Sequence, residues 1–291
     1  METNELLKKV RKIEIHTKGL VNQIFSGEYH SVFKGRGMVF SEVREYQYGD
    51  DIRLIDWNVS ARFNHPFVKV FEEERELVVM LLVDVSGSGE FGTVQQLKKD
   101  LAIELCAVLA FSAIQNNDKV GLILFSDIIE KFVPPKKGRT HILRIIRELI
   151  DFTPTHKQTS IAEGLRYLTS AIKKRSIAFL ISDFIDEGFD DALKIAGKKH
   201  DLIGIRIFDP REGELSASGL LRVVDAETDE ATWIDSSDPR VRRNYARWWN
   251  DRELERKKVF QRSGVDSINI STDQSYIRPL MSFFRARERR W

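Results

Sequence analysis

Two textures of apolar and polar positions divide the chain. From about Leu77 onward, short unbroken apolar runs alternate with stretches whose apolar residues recur at the helical spacing. Leu77–Val85, Val120–Phe125, Ile177–Ser182 and Leu202–Phe208 read as strands covered on both faces. Between them, Thr93–Asn116, His141–Phe152, Ile161–Lys174 and Asp190–Lys199 read as helices. In the first, Leu97, Leu101, Leu105, Val108 and Leu109 form the expected buried stripe. Ile128–Val133 returns after a polar turn as an edge hairpin, and Pro134-Pro135 is expected to stop it. Leu221–Val224 and Thr232–Asp235 read as a hairpin across Glu227-Thr228-Asp229-Glu230. Arg240–Arg262 follows as a helix, Val265–Ile270 as a strand and Tyr276–Arg289 as the closing helix. Before Leu77 the pattern is turn-rich. Glu5–Phe25 is an amphipathic helix, with Leu6, Val10, Ile13 and Leu20 near the helical period. Ser31–Phe33, Met38–Tyr46 and Phe67–Glu73 are short strands separated by glycine- and Asn/Pro-bearing turns, Gly49 being a candidate for positive φ.

Strands alternating with helices predict an α/β fold: a doubly wound, mostly parallel sheet flanked by helices, with a small N-terminal β-subdomain. The expected division is 1–75 and 76–291, with a hairpin insertion near 220–236 that joins the N-terminal β-segment.

Composition narrows the class. The chain has 291 residues, 42% of them hydrophobic, including 18 Phe and 5 Trp, which is ample for a core and excludes wholesale disorder. The single cysteine, Cys106, excludes a disulfide scaffold and falls within an apolar helical stretch as an inert core residue. No apolar run approaches the ~18–20 residues of a membrane span, and the first residues carry no secretory pattern, so a cytoplasmic protein is expected. The net charge of +2 hides an asymmetry: Asp238–Trp291 holds 14 Lys and Arg against 7 Asp and Glu. Acidic residues interrupt the basic ones and no nucleic-acid motif accompanies them, which favours solvated mixed-charge helices over nucleic-acid binding.

Doubly wound sheets bind ligands beyond the carboxyl ends of their strands. There the first buried run ends in Asp84-Val85-Ser86-Gly87-Ser88. With a sharp turn at Gly87, one carboxylate and two hydroxyls converge on a point. All are hard oxygen donors suited to Mg²⁺ or a similar cation. Ser182-Asp183 brings a second carboxylate to the same edge, and Thr159 precedes the helix that starts at Ile161. Taken alone, Asp84-x-Ser86-x-Ser88 also fits a plain turn, and the hydroxyl before Ile161 a helix cap.

In this order on such a sheet, Asp84, Ser86, Ser88, Thr159 and Asp183 resemble the metal-ion-dependent adhesion site of von Willebrand factor A domains. The resemblance implies that the hydroxyls contact the ion, that Asp84 and Asp183 act directly or through water, and that a partner's acidic residue completes the shell. Phe184 stands where many such domains have Gly, and Glu90 is an accessory carboxylate candidate.

The segment upstream is denser in signature. It runs Gly35-Arg36-Gly37-Met38-Val39-Phe40-Ser41-Glu42-Val43-Arg44-Glu45-Tyr46, then Gly49-Asp50-Asp51-Ile52-Arg53-Leu54-Ile55-Asp56-Trp57, Ala61-Arg62 and Glu73-Glu74-Arg75. This resembles the bacterial and archaeal family called domain of unknown function 58, in which such a segment precedes an A-like domain. Many members carry transmembrane helices ahead of it, and none is visible here. Arg44, Arg53 and Arg62 alternate with Asp50, Asp51, Asp56 and Glu73. They form either an ion-pair network bracing the segment to the main sheet or a docking surface, with Trp57, Ile55 and Tyr46 as apolar anchors.

The resemblance implies a non-enzymatic, divalent-metal-dependent (Mg²⁺, or Mn²⁺ or Ca²⁺) protein-interaction module. Its partners would be a MoxR-class AAA+ ATPase, for chaperone-like maturation or remodelling, and a client supplying an acidic residue. A metal-assisted phosphohydrolase is the alternative. It would need a general base, and the six histidines are scattered. No Gly-x-x-x-x-Gly-Lys-Ser/Thr or Gly-x-Ser-x-Gly string is present.

Overall fold

The computed structural model describes residues 39–72, 77–92 and 96–290. The expected helix Glu5–Phe25, the strand Ser31–Phe33, Glu73 and the start of the helix expected from Thr93 lie outside them. The described residues fall into two compact units, one ending at Leu77 and the other beginning at Val78.

In the first unit, β1 (Val39–Glu45) is followed by α1 (Trp57–Phe63) and β2 (Phe67–Glu72). β1 and β2 pair antiparallel, with an irregularity between Phe40 and Glu42. α1 is absent from the sequence expectations, and it is held by its ends. The Asp56 carboxylate accepts from the Asn58 and Val59 N–H groups, and Asn64, at φ 54°, terminates the helix. Gly49 has φ 108°, as expected.

The second unit is built on a six-stranded sheet. In chain order its elements are β3 (Val78–Asp84), α2 (Lys98–Gln115), β4 (Lys119–Phe125), β5 (Ile129–Lys136), α3 (Arg139–Asp151), α4 (Ile161–Ala171), β6 (Ile177–Ser182), α5 (Asp190–Lys199) and β7 (Asp201–Phe208). Then come β8 (Leu220–Val224), β9 (Ala231–Asp235), α6 (Pro239–Ser263), β10 (Asp266–Ser271) and α7 (Ile277–Glu288). The strand order is β10-β7-β6-β3-β4-β5, parallel throughout except for the antiparallel edge strand β5. This is the doubly wound α/β fold that the alternation predicts.

The central strands are buried on both faces: Val79, Met80, Leu81 and Leu82 of β3 have no exposed surface, and β6 is buried along its length. Fully burying each such side chain stabilises the fold by about 1.5–3 kcal/mol. The helix α2 begins later than expected, and Leu97, placed in its buried stripe by periodicity, is 40% exposed. Leu101, Leu105, Val108 and Leu109 are buried, as is Cys106, whose thiol burial pushes well up.

Two further expectations are corrected. β5 runs through Pro134-Pro135 to Lys136 instead of stopping. An edge strand tolerates residues that cannot donate to a ladder. The β8–β9 hairpin forms its own two-stranded sheet and shares no ladder with β1–β2. It belongs to the larger unit, where its turn meets the strand ends.

Candidate cation and partner-recognition site

β3 and β6 are parallel neighbours, so their last residues share one edge. Asp84 closes β3, and its carboxylate is held from two sides. Oδ1 accepts the Ser86 N–H (3.0 Å), and Oδ2 accepts the Ser182 hydroxyl (2.7 Å). A 3-10 turn over Gly87–Glu90 then brings the Ser86 and Ser88 hydroxyls within 3.2 Å of each other. The Gly87 N–H donates to the Lys157 carbonyl (2.9 Å), tying this turn to the loop that carries Thr159. Asp183 follows β6, and its Oδ1 accepts the Ile185 N–H (3.1 Å).

Burial, and then the nearby charge of Asp183, push the Asp84 carboxyl up to about 7. Burial would raise Asp183 as well, but the Lys98 ammonium outweighs it and holds that carboxyl below its ordinary value. Lys98, the first residue of α2, is itself buried. Its Nζ lies 2.8 Å from Asp183 Oδ2 and 2.6 Å from Glu212 Oε1. Neither Lys98 nor Glu212 was expected at the site. A lysine at a helix start is ordinarily solvated, and only the fold shows it sealed between two acids.

Phe184 takes φ 58°, so the backbone after Asp183 follows the path a glycine would take freely. The strain is balanced by burial of its ring, which packs edge-on to Phe260 with centroids 5.0 Å apart.

Thr159 lies two residues beyond Lys157, whose carbonyl meets the Gly87 turn, and its hydroxyl donates to Glu227 Oε1 (2.7 Å). Glu227 sits in the β8–β9 turn, close enough to Asp183 to feel its charge. Burial and then that charge raise the Glu227 carboxyl, against the Thr159 hydrogen bond. The sequence marks Glu227 only as a turn residue. Ser160, the neighbour of Thr159, is the N-cap of α4: its hydroxyl accepts from Glu163 N. The capping role is therefore met beside Thr159.

The donor set is one of hydroxyls and carboxylates. Among the described residues no three His, Cys, Asp or Glu side chains gather as a metal cluster. A cation here would depend on the serine and threonine oxygens as much as on the acids, which suits a hard ion. Beside the site a cavity of about 380 Å³ opens, bounded in part by Ser86, Ser88, Phe91, Lys98 and Asp183.

A protein-family model described as "Protein of unknown function DUF58" matches residues 42–255. The chain belongs to the DUF58 family. Among curated proteins, the uncharacterized protein Rv1480 of Mycobacterium tuberculosis is 28% identical over 288 residues, covering 98% of this chain and 90% of that protein. The uncharacterized protein YeaD of Bacillus subtilis is 30% identical over 111 residues, covering 38% of this chain and 26% of that protein. Among solved structures, an aerotolerance-related membrane protein from Bacteroides fragilis aligns with a TM-score of 0.51 at 15% identity, over 74% of this chain and all of that one, a likeness of fold. The von Willebrand A domain of SpRpn10 aligns with a TM-score of 0.39 at 11% identity, over 72% of this chain and 95% of that domain. No helix among the described residues is long and apolar enough to cross a membrane.

The charged string upstream resolves into local contacts. Arg44 grips Asp50 with two hydrogen bonds (2.8 and 2.7 Å). Asp51 accepts the Arg53 N–H, and Asp56 caps α1 with Lys69 at 3.5 Å. Arg62 is exposed at the end of α1. Ile55 and Tyr46 are half-buried, but Trp57, expected as an anchor, is 72% exposed, because α1 turns that face outward. Within Asp238–Trp291 several basic residues are paired: Arg256 with Glu253, Arg252 with Glu187, Arg287 with Asp201 and Arg290 with Asp266.

Proposed function

We propose that this DUF58 protein is a divalent-cation-dependent protein-recognition module. One observation carries the reading: Asp84, Ser86, Ser88 and Asp183 line one cavity at the strand ends, and Thr159 lies on the loop whose Lys157 carbonyl accepts the Gly87 N–H. The fit to a hard cation rests on the donor chemistry. Asp84 is a half-buried carboxyl whose neighbour is a second carboxylate, an arrangement that a divalent ion relieves. Asp84, Ser86, Ser88, Thr159 and Asp183 would hold the ion, which would supply an electrophilic centre for a carboxylate from another protein. Mg²⁺ is the ion of choice, with Mn²⁺ or Ca²⁺ as substitutes.

The resemblance in the N-terminal string supports a finer reading: an adaptor that works in the cytoplasm with a MoxR-class AAA+ ATPase on a client bearing an exposed acidic residue. The test is binding of the purified ATPase to the full chain, with Mg²⁺ and with chelator, in wild type and Asp84→Ala. Chelator-sensitive binding lost in the variant supports it, and binding indifferent to both removes it.

One observation favours the hydrolase alternative. His156 Nδ1 lies 3.0 Å from Asp127 on the loop next to Thr159, a pairing that orients an imidazole as a base. Phosphatase turnover with Mg²⁺ that disappears in His156→Ala would select that reading.

A further inference from the structure

The site holds an acid of its own. The turn of the β8–β9 hairpin runs from Asp225 to Glu230, and Glu227 is its half-buried residue while the others are exposed. Two interactions clamp this turn onto the loop before α4. The Thr159 hydroxyl donates to Glu227 (2.7 Å), and the Lys157 ammonium grips Asp229 (2.6 and 2.8 Å). The opposing turn accommodates it as well. A Cβ built on Gly87 would stand 2.1 Å from the Ala226 carbonyl oxygen, so the hairpin backbone reaches the Asp84–Ser88 turn through space that only glycine leaves.

Glu227 is not needed to form its own turn. Asp225 does that, accepting the Glu227 and Thr228 N–H groups (2.8 and 3.1 Å). The Glu227 carboxylate is thereby free to face Thr159. A hydroxyl that donates its one proton to a carboxylate keeps its lone pairs for another partner. The contact therefore orients Thr159 as an oxygen donor as well as bringing a third acid to the rim.

We propose that Glu227 is a built-in acidic ligand: the chain holds its own carboxylate at the cation site, and an acidic partner binds there by displacing the hairpin turn. This rests on the cation reading above, but it adds a residue and a competition that the five-residue pattern does not contain. An external acid would then meet a site closed by an internal one, whose effective concentration is set by a short hairpin.

The test uses Mn²⁺ as the probe on the full chain, in wild type, Glu227→Ala and the neighbouring Glu230→Ala. Free Mn²⁺ is followed by electron paramagnetic resonance and water on bound Mn²⁺ by proton relaxation, before and after addition of acetate. The expected result is an additional exchangeable water and a roughly tenfold loss of Mn²⁺ affinity in Glu227→Ala only. Acetate should then lower the relaxation of that variant and leave wild type unchanged. Equal relaxation and equal acetate response in wild type and Glu227→Ala, with Mn²⁺ bound in both, would overturn the built-in ligand and leave the cation reading standing. Absence of Mn²⁺ binding in all three proteins would overturn both. Mn²⁺ binding in Glu227→Ala alone would mean that the carboxylate excludes the ion, and would overturn the built-in ligand.

Discussion

The Lys98 ammonium lies 2.8 Å from Asp183 and 2.6 Å from Glu212, sealed from solvent at the base of the candidate site. A buried cation between two acids is costly to remove from one side only, because uncompensated carboxylates stay behind. Lys98→Met should therefore cost about 3–5 kcal/mol of unfolding free energy. If a divalent ion sits at the neighbouring oxygens, Mg²⁺ should recover part of that loss in the variant. Urea unfolding with and without Mg²⁺ measures both.

Asp84 carries the opposite electrostatic burden. Burial and Asp183 raise its carboxyl from an ordinary value near 4 to about 7. A raised folded pKa means that the stabilising contribution is complete below the ordinary value and is lost as pH climbs through about 7. Metal-free wild type should thus lose stability between about pH 4 and pH 7. Asp84→Asn keeps acceptor capacity toward Ser86 and should flatten that decline, melting above wild type at pH 8. Each kcal/mol recovered corresponds to about 2–4 °C in a domain of this size. Mg²⁺ should raise the melting temperature of wild type and leave the Asn variant where it is.

His200 titrates in the other direction. Its Nδ1 accepts the Ser176 N–H, so a proton on that nitrogen would face another donor, and its Nε2 is buried without a hydrogen-bond partner. Burial lowers the imidazole to about 4. A depressed value means stability that is present above about 6.5 and is lost as pH falls toward 4. The loss should be about 3 kcal/mol in wild type. In His200→Asn it should be absent, although that variant starts from a lower stability at pH 7. Thermal melts at pH 7, 6 and 5 compare the slopes.

Gly87 sits where a Cβ would strike the Ala226 carbonyl. Gly87→Ala should push the hairpin turn outward at a cost of about 1–3 kcal/mol. Proteolysis near Glu227 should speed up, and the Thr159–Glu227 contact should be lost. Unchanged cleavage of the hairpin would show that the turn does not bear on Gly87.

The sheet and its helices were legible because β3, β4, β6 and β7 are buried on both faces, which leaves unbroken apolar runs such as Val78–Val83 and Ile177–Ile181. Helix α1 was missed because its one strong signal is the Asp56 cap, and Trp57 and Phe63 face outward, giving no apolar stripe. At the site, Asp84, Ser86, Ser88 and Asp183 could be placed from strand ends alone, since parallel pairing fixes where those ends lie. Lys98 and Glu227 could not. A residue's partner 85 or 68 positions away is set by how helices and hairpins close over the sheet, not by local pattern.

Pro134 and Pro135 lie within the edge strand β5, which pairs with the rest of the sheet only through β4. Two successive residues without an N–H deprive a would-be neighbouring strand of donors at that margin. Another polypeptide is thereby discouraged from simply lengthening the sheet sideways. On the proposed reading, recognition is left to the loops that crown the sheet.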